Sequence, residues 1–197
     1  MRNRYLACMA LLFAPCAAIA APESYTFDAP HTLMYFETDH LGGMTRIRGR
    51  FGRIAGKFVI DRQAKTGSME LTVPTATVDS GDTDRGSRPR TRDEHLRTPD
   101  FFNVAEYPNL SFKVTKVVFK GDAPATLEGV ATVIGVTRPI TLNIDQWKCG
   151  PNPANKREMC GAVMTGTLKR SDFGMKYGIP LVGDEQKLWI SMEAYKD

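Results

Sequence analysis

PITLNIDQWKC, residues 139–149, decides the fold class: Ile140, Leu142 and Ile144 share one parity, while Thr141, Asn143 and Asp145 share the other. Successive side chains of a β-strand point to opposite faces, so this alternation describes a strand with one buried and one wet face. Runs of the same kind recur outward in both directions. Before it lie YTFDA (25–29), TLMYFETD (32–39), IRGRFGRIAGKFVID (47–61), SMELTVPTATV (68–78), LSFKVTKVVFK (110–120) and ATLEGVATVIG (125–135). After it come AVMTGTLKR (162–170) and KLWISMEAY (187–195). Turn chemistry separates them at Asp28-Ala29-Pro30, Gly42-Gly43, Lys65-Thr66-Gly67, Gly121-Asp122, Gly135 to Pro139 and Gly183-Asp184. No long segment carries a helical period. Strand candidates at hairpin spacing imply an antiparallel sheet that closes on itself, or a sandwich.

Two irregularities refine this picture. In FKVTKVVFK (112–120), Phe112 and Val114 share one parity but Val117 and Phe119 the other, which calls for a β-bulge or a sharply coiled strand. Gly49, Gly52, Gly56, Gly129 and Gly166 fall inside strand patterns. Such glycines mark bends, or a cavity wall that must leave room for another group.

The stretch RPRTRDEHLRTPDFFNVAEYPNLSF (88–112) runs from dense charge to paired phenylalanines and into a strand. Thr91-Arg92-Asp93-Glu94 fits a capping box, and Thr98-Pro99 fits a second N-cap with proline at the first helical position. One or two short helical turns are therefore expected over 92–104, with Leu96, Phe101 and Phe102 facing inward. The segment reads as an amphipathic cap over a sheet or barrel end.

The start of the chain speaks to compartment. Arg2 and Arg4 precede an apolar run from Leu6 to Phe13, too short to span a bilayer, and Ala18-Ile19-Ala20 follows with small residues at the cleavage spacing. Residues 1–20 are expected to be a cleaved signal peptide and 21–197 the mature domain, exported to a bacterial periplasm. A lipidated Cys16 is the weaker alternative, since Phe13-Ala14-Pro15 is a poor approach to it. The mature chain keeps 24 basic residues against 22 acidic ones, because only Arg2 and Arg4 leave. That balance gives no electrostatic case for nucleic acid. Cys149 and Cys160 remain, flanking GPNPANKREM, and in an oxidising compartment they read as a structural disulfide near a hairpin tip.

Four ordered blocks resemble one family. TRDEHLRTPDFFNVAEYPNLSF is similar to the signature of the YceI-like, polyisoprenoid-binding, lipocalin-like periplasmic proteins. YTFDAPHTLMYFETDHLGGMTRIRGRFGRIAGKFVID, LEGVATVIGVTRPITLNI and LKRSDFGMKYGIPLVGDEQKLWISMEAYK resemble the same family in the same order. The resemblance implies an all-β, elongated, eight-stranded antiparallel lipocalin-like barrel with a short helical cap and an apolar tunnel for an isoprenoid tail. The link SGDTDRGSRPRTRDEHL looks longer and richer in arginine than the family's usual one.

Tunnel lining is expected from Phe36, Phe51, Phe58, Phe101, Phe102, Phe112, Met164, Leu168, Phe173, Leu188 and Ile190, with ordinary core packing the competing role for each. His40, Arg92 and His95 match signature positions and are expected at the mouth or the ligand head. No catalytic residue, metal ligand or cofactor is expected: three histidines at separate places show no converging ligand set. An Asp93-His95 dyad with Ser87 or Thr91 as nucleophile lacks the surroundings of a hydrolase. Arg92 and Asp93 read as an ion pair fixing the cap, with Arg170 or Asp172 as further partners, or as a solvated face. Arg85, Arg88, Arg90 and Arg92 read foremost as solvated loop, with a headgroup phosphate or a membrane surface as alternatives.

The function implied is a periplasmic carrier that sequesters a long-chain isoprenoid without performing chemistry on it. The alternatives are an enzyme or accessory factor in isoprenoid or quinone metabolism using His40, Arg92 and His95, and a stress-related interaction protein with a solid barrel. The expected partner is the lipid, with a transient membrane contact and a homodimer left open.

Overall fold

The computed structural model describes residues 21–197, so the expected signal segment lies outside the described residues. The strands are β1 (Glu23–Phe27), β2 (Leu33–His40), β3 (Thr45–Phe51), β4 (Ala55–Asp61) and β5 (Thr66–Pro74). After the helix α1 (Arg92–Leu96) come β6 (Asn109–Lys120), β7 (Ala123–Val133), β8 (Val136–Pro151), β9 (Glu158–Lys169) and β10 (Glu185–Lys196). All pairings are antiparallel, and β1 pairs with both β4 and β10, which closes the sheet.

Ten segments make eight barrel strands. β1 and β2 lie along the same side of β10, β1 against Ala194–Lys196 and β2 against Lys187–Ser191. They are one strand broken by a 3₁₀ turn at Ala29–His31, where Pro30 cannot donate to the ladder. β3 and β4 continue each other likewise, β3 pairing with β2 and β4 with β1. The break at Gly52–Ile54, inside a run expected to be continuous, puts Arg53 at φ 56° and buries Ile54 completely. β8 spans sixteen residues, about 50 Å of extended chain, so the barrel is elongated.

The phase change in β6 is a real irregularity: register shifts fall between Val114 and Lys116 and between Val118 and Phe119. A third shift, at Ile144/Gln146 in β8, re-aims Trp147 and Cys149 toward the interior. The strand expected through Val78 stops at Pro74, where Thr75 turns away and donates its hydroxyl to the Tyr107 carbonyl at 2.7 Å.

The inward glycines are filled by neighbouring rings. A Cβ at Gly49 would meet Phe36 Cζ at 2.3 Å, and one at Gly129 would meet the Lys113 carbonyl and the Phe112 ring. The room these glycines leave therefore seats Phe36 and Phe112, whose rings then face the interior.

Antiparallel order sends the β4–β5, β6–β7 and β8–β9 turns to one end. That lower end holds a packed aromatic group: Phe58 stacks on Tyr25 at 4.6 Å and meets Trp147 edge-on at 5.6 Å. Cys149 and Cys160 face each other across β8 and β9 and are bonded there, which fits an oxidising compartment. The upper end holds the β2–β3 turn, the loop between β9 and β10, and the 75–108 crossing that carries α1. Among the described residues, no helix is long and apolar enough to cross a membrane.

Candidate functional site

The upper half of the barrel is hollow. Alternation turns Met34 and Phe36 of β2 inward, with Phe51 of β3, Leu110 and Phe112 of β6, and Ala131 and Val133 of β7. Ile140 and Leu142 of β8, Leu168 of β9, and Leu188 and Ile190 of β10 complete the wall, and Phe102 and Phe173 close it from above. Only Ser111, Arg170 and Gln186 bring polar atoms. The space these residues enclose is slender: about 90 Å³ of it admits the centre of a water-sized sphere.

Above this cavity lies a wider vestibule of about 390 Å³ by the same water-sized measure. Phe36, Phe102, Arg170, Met175 and Gln186 border both spaces. The vestibule wall also includes Thr38, His40, Ile47, Arg88, Arg92, His95, Leu96, Phe101, Tyr177 and Val182, and no carboxylate.

The cap is fixed by local chemistry. Thr91 accepts from the Glu94 amide at 3.1 Å while Glu94 accepts from the Thr91 amide at 2.6 Å, the expected capping box. Leu96 and Phe101 are buried, and Phe102 sets its ring edge-on to Phe51 at 5.1 Å. The second cap is absent: Thr98 donates its hydroxyl back to the His95 carbonyl at 2.8 Å, and the chain continues as turns.

Arg92 and Asp93 do not pair with each other. Arg92 Nε donates to Ser80 Oγ at 2.7 Å, and Asp93 accepts from the Ser80 amide at 2.9 Å and from its hydroxyl. Ser80 thus stands between the two charges and ties the cap to the strand edge. Arg88 holds Asp82 with two bonds of 2.8 Å, and the Arg92 amide donates to the same carboxylate. Together they hold the Asp82 pKa down to about 2. The arginine run is thus partly ordered against its own acidic residues.

Arg170 is 4% exposed and bonds neither Asp93 nor Asp172. Its guanidinium donates to the carbonyls of Gly183 (2.8 Å), Met175 (3.0 Å) and Val182 (2.8 Å), clamping the β9–β10 loop over the barrel. It lies 5.8 Å from the Phe101 ring centre. Burial pulls its pKa below the ordinary arginine value, with the charge of Asp184 opposing.

His95 Nε2 lies 2.7 Å from Asp100, which also accepts from Arg90 at 3.1 Å. The His95 bond, then that of Arg90, holds the Asp100 carboxyl below its ordinary value. The His95 partner is therefore Asp100, and the Asp93–His95 dyad considered from sequence does not form. His40 makes one loose contact, to Thr45 at 3.5 Å.

The expected lining residues divide into three places. Phe36, Phe51, Phe102, Phe112, Leu168, Phe173, Leu188 and Ile190 border the upper cavity. His40, Arg92, His95 and Phe101 border the vestibule. Phe58 and Met164 border a separate small cavity in the lower half, which shares no wall residue with the upper one. Met175 and Tyr177 escaped sequence reading because their loop has no period. Met34, Ile140 and Leu142 were visible as alternation partners of residues already named. On the outer wall, Asp28, His31 and Glu193 bring ligand atoms within 4.8 Å of one another. His31 Nδ1 already contacts Asp28 at 2.8 Å, which raises the His31 pKa.

A sequence model described as the YceI-like domain matches residues 25–194. The chain belongs to the YceI-like family. A UPF0312 protein of Pseudomonas aeruginosa PAO1 is 31% identical over an aligned length of 200 residues, covering 100% of both chains. Protein YceI of Escherichia coli O6:H1 is 31% identical over 184 residues, 93% of this chain and 91% of that protein. Among solved structures, Burkholderia cenocepacia BcnA superposes with a TM-score of 0.66 at 18% identity, covering 85% of this chain and 98% of its own. A polyisoprenoid binding domain from Saccharophagus degradans gives 0.62 at 16% identity, covering 88% and 98%. At these identities the structures establish the YceI-like barrel fold and nothing finer.

Proposed function

We propose that this YceI-like protein is a periplasmic carrier that sequesters a long-chain isoprenoid lipid, with the tail in the upper cavity and the polar head in the vestibule. The observation that carries this reading is an apolar cavity opening onto a wall with His40, Arg92 and His95. A prenyl tail has little solubility in water, and burying it at about 25 cal/mol per Å² favours a dry, narrow slot. Phe51, Phe112, Leu188 and Ile190 contact the tail, while Phe102 and Phe173 shape the throat. Phe58 and Met164, in the lower cavity, act as core unless the barrel repacks around a longer tail. Membership of the family and the binding named for the Saccharophagus domain support the isoprenoid class.

The role is binding, not catalysis. In this reading the polar residues serve position and recognition, with His95 held by Asp100 and Thr91 by the capping box. The disulfide and the signal-like N-terminus support the periplasm, which cell fractionation and a mature N-terminus at Ala21 would check.

Organic extraction of purified protein followed by mass spectrometry tests the reading. A co-extracted prenyl lipid is expected. Protein that yields no lipid and takes up none when a long polyprenol is supplied would sink it.

A further inference from the structure

The upper end carries most of the exposed large hydrophobic side chains. Eight such residues occur among the described residues, and five sit on two loops here. Leu41 (50% exposed) and Met44 (82%) lie in the β2–β3 turn; Tyr177 (49%), Ile179 (37%) and Leu181 (63%) lie in the loop before β10. The loops are fastened together: the Gly42 amide donates to the Leu181 carbonyl at 3.3 Å, and His40 pairs with Val182. They therefore form one ridge. Nothing lies within 4 Å of a Cβ built at Gly42 or Gly43, so the turn projects into open space. His40, Tyr177 and Val182 on the same loops line the vestibule, which makes this ridge the rim of the opening.

Charge adds a second observation. From His40 to Arg48 and from Gly174 to Val182 there is no carboxylate, while Arg46, Arg48 and Lys176 are present. Glu37 and Asp39 balance Arg46 and Arg48 from the strand side. The vestibule wall adds Arg88, Arg92 and Arg170, of which Arg88 is paired with Asp82 and Arg170 is spent on loop carbonyls, so Arg92 and the exposed Lys176 are the cations left for a partner. Projecting apolar side chains flanked by cations complement the interface of an anionic bilayer, where such side chains enter the acyl boundary and cations meet phosphate.

We propose that this rim docks on a bilayer containing anionic phospholipid, so that a lipid tail passes between membrane and cavity without crossing water. The proposal builds on the lipid-binding reading, and the two are separable by experiment. Flotation with phosphatidylcholine vesicles, with and without phosphatidylglycerol, measures docking directly. The wild-type chain is expected to float with the phosphatidylglycerol vesicles, and added salt should weaken this. Met44→Ser/Leu181→Ser should lower binding roughly tenfold or more, because both side chains lose apolar area at the interface. Val59→Ser, an exposed apolar residue on the barrel wall, should leave it unchanged. Both changes lie on exposed positions, and melting curves confirm folding. Equal flotation of the double variant and wild type, or no flotation of either, overturns the docking surface.

Uptake of a detergent-delivered polyprenol separates the two ideas. Wild type that takes up polyprenol but does not float loses only the docking proposal. Wild type that floats but takes up no polyprenol keeps the docking surface and loses the carrier reading.

Discussion

Phe102 stands where the cap meets the barrel, half-buried and edge-on to Phe51, and borders both the cavity and the vestibule. Phe102→Asp would put a charge at the throat while leaving the strand ladder intact. It is expected to abolish lipid retention while the melting temperature falls by less than for a fully buried ring, since the new carboxylate can reach the vestibule's water. Equal lipid content in variant and parent would refute the placement of the throat. Asp82 acts at the same scale through charge. Its folded pKa, held to about 2 by Arg88 and the Arg92 amide, lies below the ordinary value near 3.9. A depressed carboxylate contributes stability that is complete above the unfolded value and is lost as pH falls through the folded one. Asp82→Asn should therefore lower the melting temperature at neutral pH, and the gap from wild type should narrow as pH drops from about 4 toward 2. A gap that stays constant across that window would show the Asp82 contacts to be unimportant.

At the scale of elements, alternation was legible because a half-buried strand must separate wet and dry residues. Ile140 and Leu142 declare β8 by parity alone, and the phase slip at Val114–Val117 declares the β6 irregularity. The capping box at Thr91 was equally plain, since backbone and side-chain partners lie three residues apart. What sequence did not reveal depends on distant partners. The break at Gly52–Ile54 follows from β3 pairing with β2 while β4 pairs with β1, and Ser80 between Arg92 and Asp93 is a contact across 12 residues. The Cys149–Cys160 bridge was readable from spacing and compartment together. It ties β8 to β9 in the lower half, away from the upper cavity. Reduction is expected to cost roughly 3 kcal/mol, on the chain-entropy account of a loop this size, and to lower the melting temperature with bound lipid unchanged. Lipid loss on reduction would show that the lower half belongs to the site.

At the scale of the molecule, one barrel serves two purposes along its length. The lower half, with Phe58 stacked on Tyr25 and braced by Trp147, supplies a core with a small cavity of about 30 Å³ by the water-sized measure; the upper half gives up more packing to keep a slot of about 90 Å³ open. The lining list drawn from sequence mixed these halves, because parity tells which side chains point inward but not at what height they meet. An open apolar slot lacks the contacts that a filled core makes, so a tail that enters it should stabilise the fold as well as be carried by it. A ligand that binds only the folded chain adds RT ln(1 + [L]/Kd), about 2.7 kcal/mol when present at a hundred times its Kd. For a domain of this size that corresponds to a rise in melting temperature of about 5–10 °C. Delipidated protein should therefore melt below the protein as purified, and a long polyprenol should restore the difference. A two-unit prenyl alcohol should restore less at equal multiples of solubility, because it buries less area along the slot. If stripping and reloading leave the melting temperature unmoved while lipid content changes, the bound lipid lies outside the barrel, and the division into a tighter and a more open half has no part in binding.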